Sequence, residues 1–289
     1  YIDDVGEVVE GLFSAVPYSN YINHFNVFAI EVPSNESGTD HPGTAYDCGG
    51  DAGNVFYADT YFNSTFDYGG IHRALVATNT SAAYDVLINN TPQWDIVFIM
   101  VNTTMYGGTG GAFATFSRHE LSIEIAIHEI GHSFSGLADE YWFSGWETAN
   151  MTQESNPLFN KWSPWLYDNG IGIYQYESPG NNWYRPHQDC KMRYLGPPFC
   201  SVCAEKTIIS VYSILDPIDT YFPENLELTV PASGTEYFSI NPIPTVPSFI
   251  TIDWFIDEQI INYGSTSIEL EASLYSEGEH EVKVVVKDL

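Results

Sequence analysis

Within the stretch from Arg118 to Tyr141, RHELSIEIAIHEIGHSFSGLADEY, five residues constrain the chain more than any others: His128, Glu129, Ile130, Gly131 and His132. On a helix, positions i and i+4 lie one turn apart on the same face, so the two imidazoles can offer nitrogens to a single metal ion. Ser117 with Glu120 three residues later reads as a capping box, and Ile123, Ile127, Ile130 and Phe134 recur at helical spacing. This predicts a helix over 118–135 with a core-facing stripe. Gly136 ends it, and the chain turns through Leu137 and Ala138 into two carboxylates, Asp139 and Glu140, either of which can return to the metal.

The rest of the first two thirds reads as alternating helices and strands. Residues 1–20 predict a helix, His24 to Val32 a strand that ends at Pro33, 70–90 a second helix, and the apolar run Trp94 to Val101 a strand buried on both faces. Glycines crowd Tyr106 to Gly111, after which Ala112 to Phe116 reads as an edge strand leading into the metal helix. An exposed edge there would suit an extended peptide, which pairs by backbone hydrogen bonds. This order argues an α/β (α+β) domain. Beyond Tyr141 the chain turns irregular and aromatic through Pro186, suited to the wall of a cleft, before a helix over 204–215.

Near residue 216 the character changes. Asp216 to Pro223 is linker-like, and Leu226–Val230, Phe249–Ile256, Ile268–Ala272 and His280–Val286 alternate as strands at the spacing of a small immunoglobulin-like β-sandwich. The expected domains are therefore 1–215 and 216–289.

Composition sets the limits. Lys+Arg number 9 against Asp+Glu 38, a net charge of -29, so the surface repels phosphate backbones and anionic membranes and nucleic acid is excluded as a partner. No apolar run is long enough to span a membrane. The chain opens at Tyr1 without an initiator Met or a signal-like apolar stretch, as expected of a trimmed or mature form. Acid-rich loops could hold structural calcium, although no EF-hand-like spacing occurs. Four cysteines, Cys48, Cys190, Cys200 and Cys203, fit two disulfides in an oxidising compartment or, alternatively, a structural zinc site using Cys200-x-x-Cys203. His24, His41 and His72 stand alone in strand or loop contexts and read as hydrogen-bonded structural histidines rather than ligands.

The run from His128 to His132, together with Cys190-Lys-Met192-Arg-Tyr194, resembles the metzincin zinc peptidases. More narrowly, HEIGHSFSGLADEY with the later CKMRY and FCSVC resembles the bacterial, secreted IgA-peptidase family over roughly residues 1–215. The resemblance implies one catalytic Zn2+, held by His128, His132 and a third ligand, with Met192 packing beneath it as the Met-turn methionine. It also implies a polypeptide substrate, an extracellular, cell-surface or periplasmic setting, and an accessory sandwich domain. The chain departs from the usual metzincin spacing. Gly136 lies four residues after His132 and Asp139 seven after, and the ligand is a carboxylate, so Asp139 is the expected third ligand, ahead of Glu140 and then His187.

Glu129, next to a ligand, is placed to act as general base, and Tyr194, two residues past Met192, to donate to the oxyanion. The resulting expectation is a zinc endopeptidase. The alternatives are a non-catalytic adhesin that keeps the scaffold and a zinc hydrolase of a non-peptide amide.

Overall fold

The computed structural model describes residues 2–142, 145–178 and 180–288. The chain forms two compact units, one of residues 1–19 and 27–210, the other of residues 20–26 and 211–289. The short segment 20–26 thus belongs with the C-terminal unit.

In the larger unit, helix α1 (Ile2–Ser14) is shorter than its pattern predicts and buries Val8 and Leu12. The expected strand over 24–32 does not form. Residues Ile22–His24 make a 3-10 turn, and the chain from 25 to 34 runs outside the sheets of the described residues. Strand β1 (Ser64–Thr65) pairs antiparallel with β2 (Val76–Ala77) in the stretch before α2 (Thr80–Asn90). That helix starts ten residues later than expected because the Asn79 side chain caps it, accepting from the Ala82 amide at 3.3 Å.

The central sheet has the order β3 (Phe98–Val101), β5 (Ala114–Ser117), β4 (Gly108–Thr109), with β5 parallel to β3 and antiparallel to β4. The segment expected at the edge therefore lies in the middle, and its four residues are all buried. The edge is the glycine-rich β4. Its approach requires bare backbone, since a Cβ at Gly107 would lie 2.5 Å from Phe66 Cε1 and 2.6 Å from the Arg73 carbonyl. On one face Ile99 and Val101 pack with Ala83 and Leu87 of α2; on the other Phe116 meets Val8 of α1 and Ile125 and Ala126 of the metal helix. Helices on both faces make this a mixed α/β unit.

The metal helix, α3 (Ser122–Ser133), begins after Leu121, which supplies no side-chain cap. The expected capping box fails because Ser117 is taken into the end of β5, buried and paired with the Gly107 carbonyl through its amide. The irregular stretch after α3 is packed by its own side chains: Trp162 is 2% exposed and its Nε1 donates to the Gly172 carbonyl at 2.8 Å. Within that stretch β6 (Tyr174–Gln175) pairs with β7 (Tyr184–Arg185). Helix α4 spans Ser201–Tyr212.

The second unit holds two antiparallel three-stranded sheets. One has the order β12 (Ser267–Glu271), β9 (Thr235–Pro242), β8 (Ile218–Phe222); the other β11 (Gln259–Tyr263), β10 (Ile250–Ile256), β13 (Val282–Asp288). Ile240, Ile252, Trp254 and Ile268 of both sheets form one core. Strand β8 occupies the stretch expected to be a linker, and Leu226–Val230 stays outside both sheets, largely exposed. Alternation alone did not place it, because without a facing sheet its apolar side chains have nowhere to be buried. Tyr21 and Tyr212 both donate to Asp288, at 2.5 and 2.8 Å, tying residues 20–26 and the end of α4 to β13.

Candidate metal centre

Helix periodicity brings His128 and His132 together, and the left-handed turn at Gly136 (φ 61°) returns the chain to them. The two Nε2 atoms are 3.1 Å apart, and each lies 3.2 Å from Asp139 Oδ1. A tetrahedral ion bound at 2.0–2.1 Å would hold such atoms about 3.3 Å apart, so the three donors fit zinc. The outer nitrogens agree with this. His128 Nδ1 is 2.9 Å from the Lys191 carbonyl and His132 Nδ1 is 2.7 Å from the Leu137 carbonyl. Carbonyls only accept, so both Nδ1 atoms carry hydrogen and both Nε2 lone pairs face the carboxylate. Three acceptors in mutual contact call for a cation.

The electrostatics point the same way. With a proton in place of an ion among these donors, burial would raise the Asp139 carboxyl, but the hydrogen bonds then made by His128 and His132 outweigh it and hold the carboxyl well below the usual range. Burial would lower His132, yet the Asp139 hydrogen bond and charge push it up to about 9. A cavity that draws a proton this strongly also suits a metal ion, which takes the proton's place.

The turn around Met192 supports the centre from beneath. Met192 is fully buried, and a Cβ at Gly131 would lie 2.6 Å from its sulfur, so glycine is what lets the helix sit on the methionine. The Met192 carbonyl accepts from the Glu140 amide at 2.7 Å. The same turn thus touches the helix and the loop that carries Asp139. Lys191 pairs with Glu124, whose Oε2 also accepts from the Gly196 amide at 2.6 Å.

Glu129 is buried beside the histidines, and a Cβ at either Gly108 or Gly110 would approach its carboxylate oxygens to 3.3 or 3.2 Å. Burial raises its pKa, against the pull of His128 and His132. It opens onto a cavity of about 260 Å³ lined also by Arg73, Tyr106, Tyr141 and Tyr194. Tyr194 is half exposed, with the Arg193 guanidinium over its ring at 4.7 Å.

The other carboxylate, Glu140, faces away from these donors. It is fully buried, Oε1 accepts from Asn150 at 3.0 Å and from Cys203 at 3.3 Å, and burial raises its pKa far above the carboxylate range. His187 packs against Gly170 and accepts from the Asp189 amide, apart from the cluster of His128, His132 and Asp139. All four cysteines are free thiols. Cys190, Cys200 and Cys203 gather around Glu140, while Cys48 lies in a different cluster.

Three contributors carry no sequence signal. Arg73 donates to the Tyr141 hydroxyl at 3.0 Å, Trp142 Nε1 donates to Asp139 Oδ2 at 2.9 Å, and Tyr176 donates to the Asp139 carbonyl at 3.0 Å. Each is joined to the motif by tertiary packing rather than by spacing.

A helix bearing two convergent imidazoles, a nearby carboxylate and a buried glutamate on an open cavity are the kinds of group that a metal-dependent hydrolase uses. The sequence profile of the family described as IgA Peptidase M64 matches residues 1–170, which include His128, Glu129, His132 and Asp139. The chain belongs to this family of metallopeptidases. A comparison with curated proteins finds no match. No helix among the described residues is long and apolar enough to cross a membrane.

Proposed function

We propose that the chain is a zinc endopeptidase in which His128, His132 and Asp139 hold the metal and Glu129 is the general base. The observation that carries this reading is the convergence of three donors at 3.1–3.2 Å beside a buried Glu129 on an open cavity. When bound there, zinc would lower the pKa of water to about 7 and polarise a carbonyl. Glu129 takes the proton of the attacking water and delivers it to the amide nitrogen as the C–N bond breaks, leaving a carboxylic acid and an amine. Its burial favours the protonated form that this relay passes through.

Tyr194 at the mouth donates to the developing oxyanion, and the Arg73–Tyr141 pair adds positive potential to the same wall. An extended polypeptide would lie in the cavity that Gly108 of β4 lines beside Glu129. The metzincin type and the immunoglobulin-like nature of the second unit belong to the same proposal. So does release from a bacterium into an extracellular, cell-surface or periplasmic setting.

The test compares zinc content and casein cleavage in three proteins. Glu129→Gln should keep its zinc and lose at least about 100-fold in kcat. His132→Ala should lose both zinc and activity. Full-rate cleavage by Glu129→Gln would sink the mechanism, and unchanged zinc in His132→Ala would sink the ligand assignment.

A further inference from the structure

A second set of donors lies in the loops around β1. His41, Cys48, Asp67 and His72 each offer one ligand atom, all within 4.8 Å of one another. Cys48 Sγ is 3.3 Å from His72 Nδ1 and 3.5 Å from Asp67 Oδ1, and the latter two are 3.0 Å apart. His41, Cys48 and Asp67 are buried.

Hydrogen bonding within the protein leaves this cluster incomplete. His41 Nδ1 lies 2.5 Å from the Asn54 carbonyl, so it carries the ring hydrogen, while Nε2 is buried with a lone pair and no partner. A buried polar atom without a partner is costly, and here it belongs to a group that could bind a metal. The outer contacts resemble those of a ligand shell. Asp67 Oδ2 accepts the amides of Thr44 and Ala45 at 2.6 and 3.3 Å, which leaves Oδ1 to the cluster. His72, with Nδ1 turned inward, has Nε2 3.6 Å from Asp51 Oδ2, and its amide donates to Asp47 at 2.8 Å.

We propose that His41, Cys48, Asp67 and His72 form a second zinc site, closed and structural. Zinc bonds of about 2.0–2.3 Å at tetrahedral angles set donors about 3.3–3.6 Å apart, close to the separations among Cys48, Asp67 and His72, with His41 within 4.8 Å of them. Thiolate and imidazole together select zinc over calcium or magnesium, which prefer oxygen. Four protein donors leave no position for a substrate.

The site has work to do. Residues 36–72 contain only 3-10 turns, one two-residue strand and isolated bridges, so the segment needs a tie other than a ladder. The residue after His72 is Arg73, whose carbonyl accepts from Gly108 at 3.2 Å and whose guanidinium reaches Tyr141 on the catalytic cavity. Metal at the second site would fix the start of the strap that delivers Arg73.

Elemental analysis of the full chain tests this without reference to peptidase activity. Cys48→Ser and His41→Ala should each hold one zinc per chain fewer than the unaltered protein. After cobalt substitution, the unaltered protein should show a near-ultraviolet thiolate-to-cobalt band that Cys48→Ser lacks. Cys190, Cys200 and Cys203 are present in both proteins, so the difference isolates Cys48. Equal zinc contents with no difference band would overturn the proposal. If the variants do not fold, anomalous scattering at the zinc edge from crystals of the unaltered chain decides: a peak bonded to Cys48 Sγ is expected, and no peak there overturns the site.

Discussion

The three donors proposed to hold the metal differ in how they are held. His128 and His132 are fixed through their outer nitrogens by backbone carbonyls, whereas Asp139 depends on side chains, its Oδ2 accepting from Trp142 Nε1. Trp142→Phe keeps an aromatic side chain and removes that donor, so it should weaken zinc affinity or casein turnover about 10- to 100-fold; a competitive chelator titration measures the first and initial rates the second. Beneath the helix, Gly131→Ala would press a methyl group against the Met192 sulfur at 2.6 Å and Phe199 at 3.2 Å. With Met192 fully enclosed, the expected cost is about 1–3 kcal/mol, read from urea unfolding. The two histidines and Glu129 were legible in sequence because a helix makes spacing into geometry. Glu140 was a fair rival to Asp139 by proximity alone, and only the turn at Gly136 and the Glu140–Met192 backbone bond separate their directions.

At the scale of elements, α1, α2, β3, β5 and α3 were legible in the first unit, but their boundaries were not, and the strand expected over 24–32 does not form. Long apolar patterns at 94–101 and 122–133 mark buried elements, but caps and turns decide where they end. Ser117 looks like a cap and is a strand residue; Asn79, unmarked by a box, is the cap that forms. The β4 edge was hidden because glycine runs read as loops, although their lack of side chains is what lets this one lie against α3. His41 and His72 read as solitary because the turns joining them to Cys48 and Asp67 have no fixed period.

In the second unit, burial raises the Tyr212 hydroxyl and its hydrogen bond to Asp288 raises it further. With the folded pKa above the unfolded value of about 10, the stabilisation is complete below pH 10 and declines as pH climbs towards the folded value. Tyr212→Phe should lose about 1 kcal/mol at pH 8 and show a shallower decline between pH 8 and 11 in urea unfolding of the full chain. An equally steep decline would show that this hydroxyl does not set the alkaline limit.

For the whole molecule, a charge of -29 disfavours phosphate and anionic membrane surfaces, and membership of a peptidase family implies a polypeptide substrate. The shift to β alternation marks where the strands of the second unit begin, while nothing in the sequence assigns residues 20–26 to that unit, because Asn20, Tyr21 and Asn23 join it through contacts more than 200 residues distant in sequence. The central claim is that this chain hydrolyses polypeptide with a metal held by His128, His132 and Asp139. It is tested most directly by stripping the full chain with a chelator, removing the chelator, and following casein cleavage as zinc is added back. The account predicts no cleavage by the stripped protein and recovery with the addition of zinc. Cleavage at full rate before any zinc is added, or none when the protein is fully loaded, would contradict it.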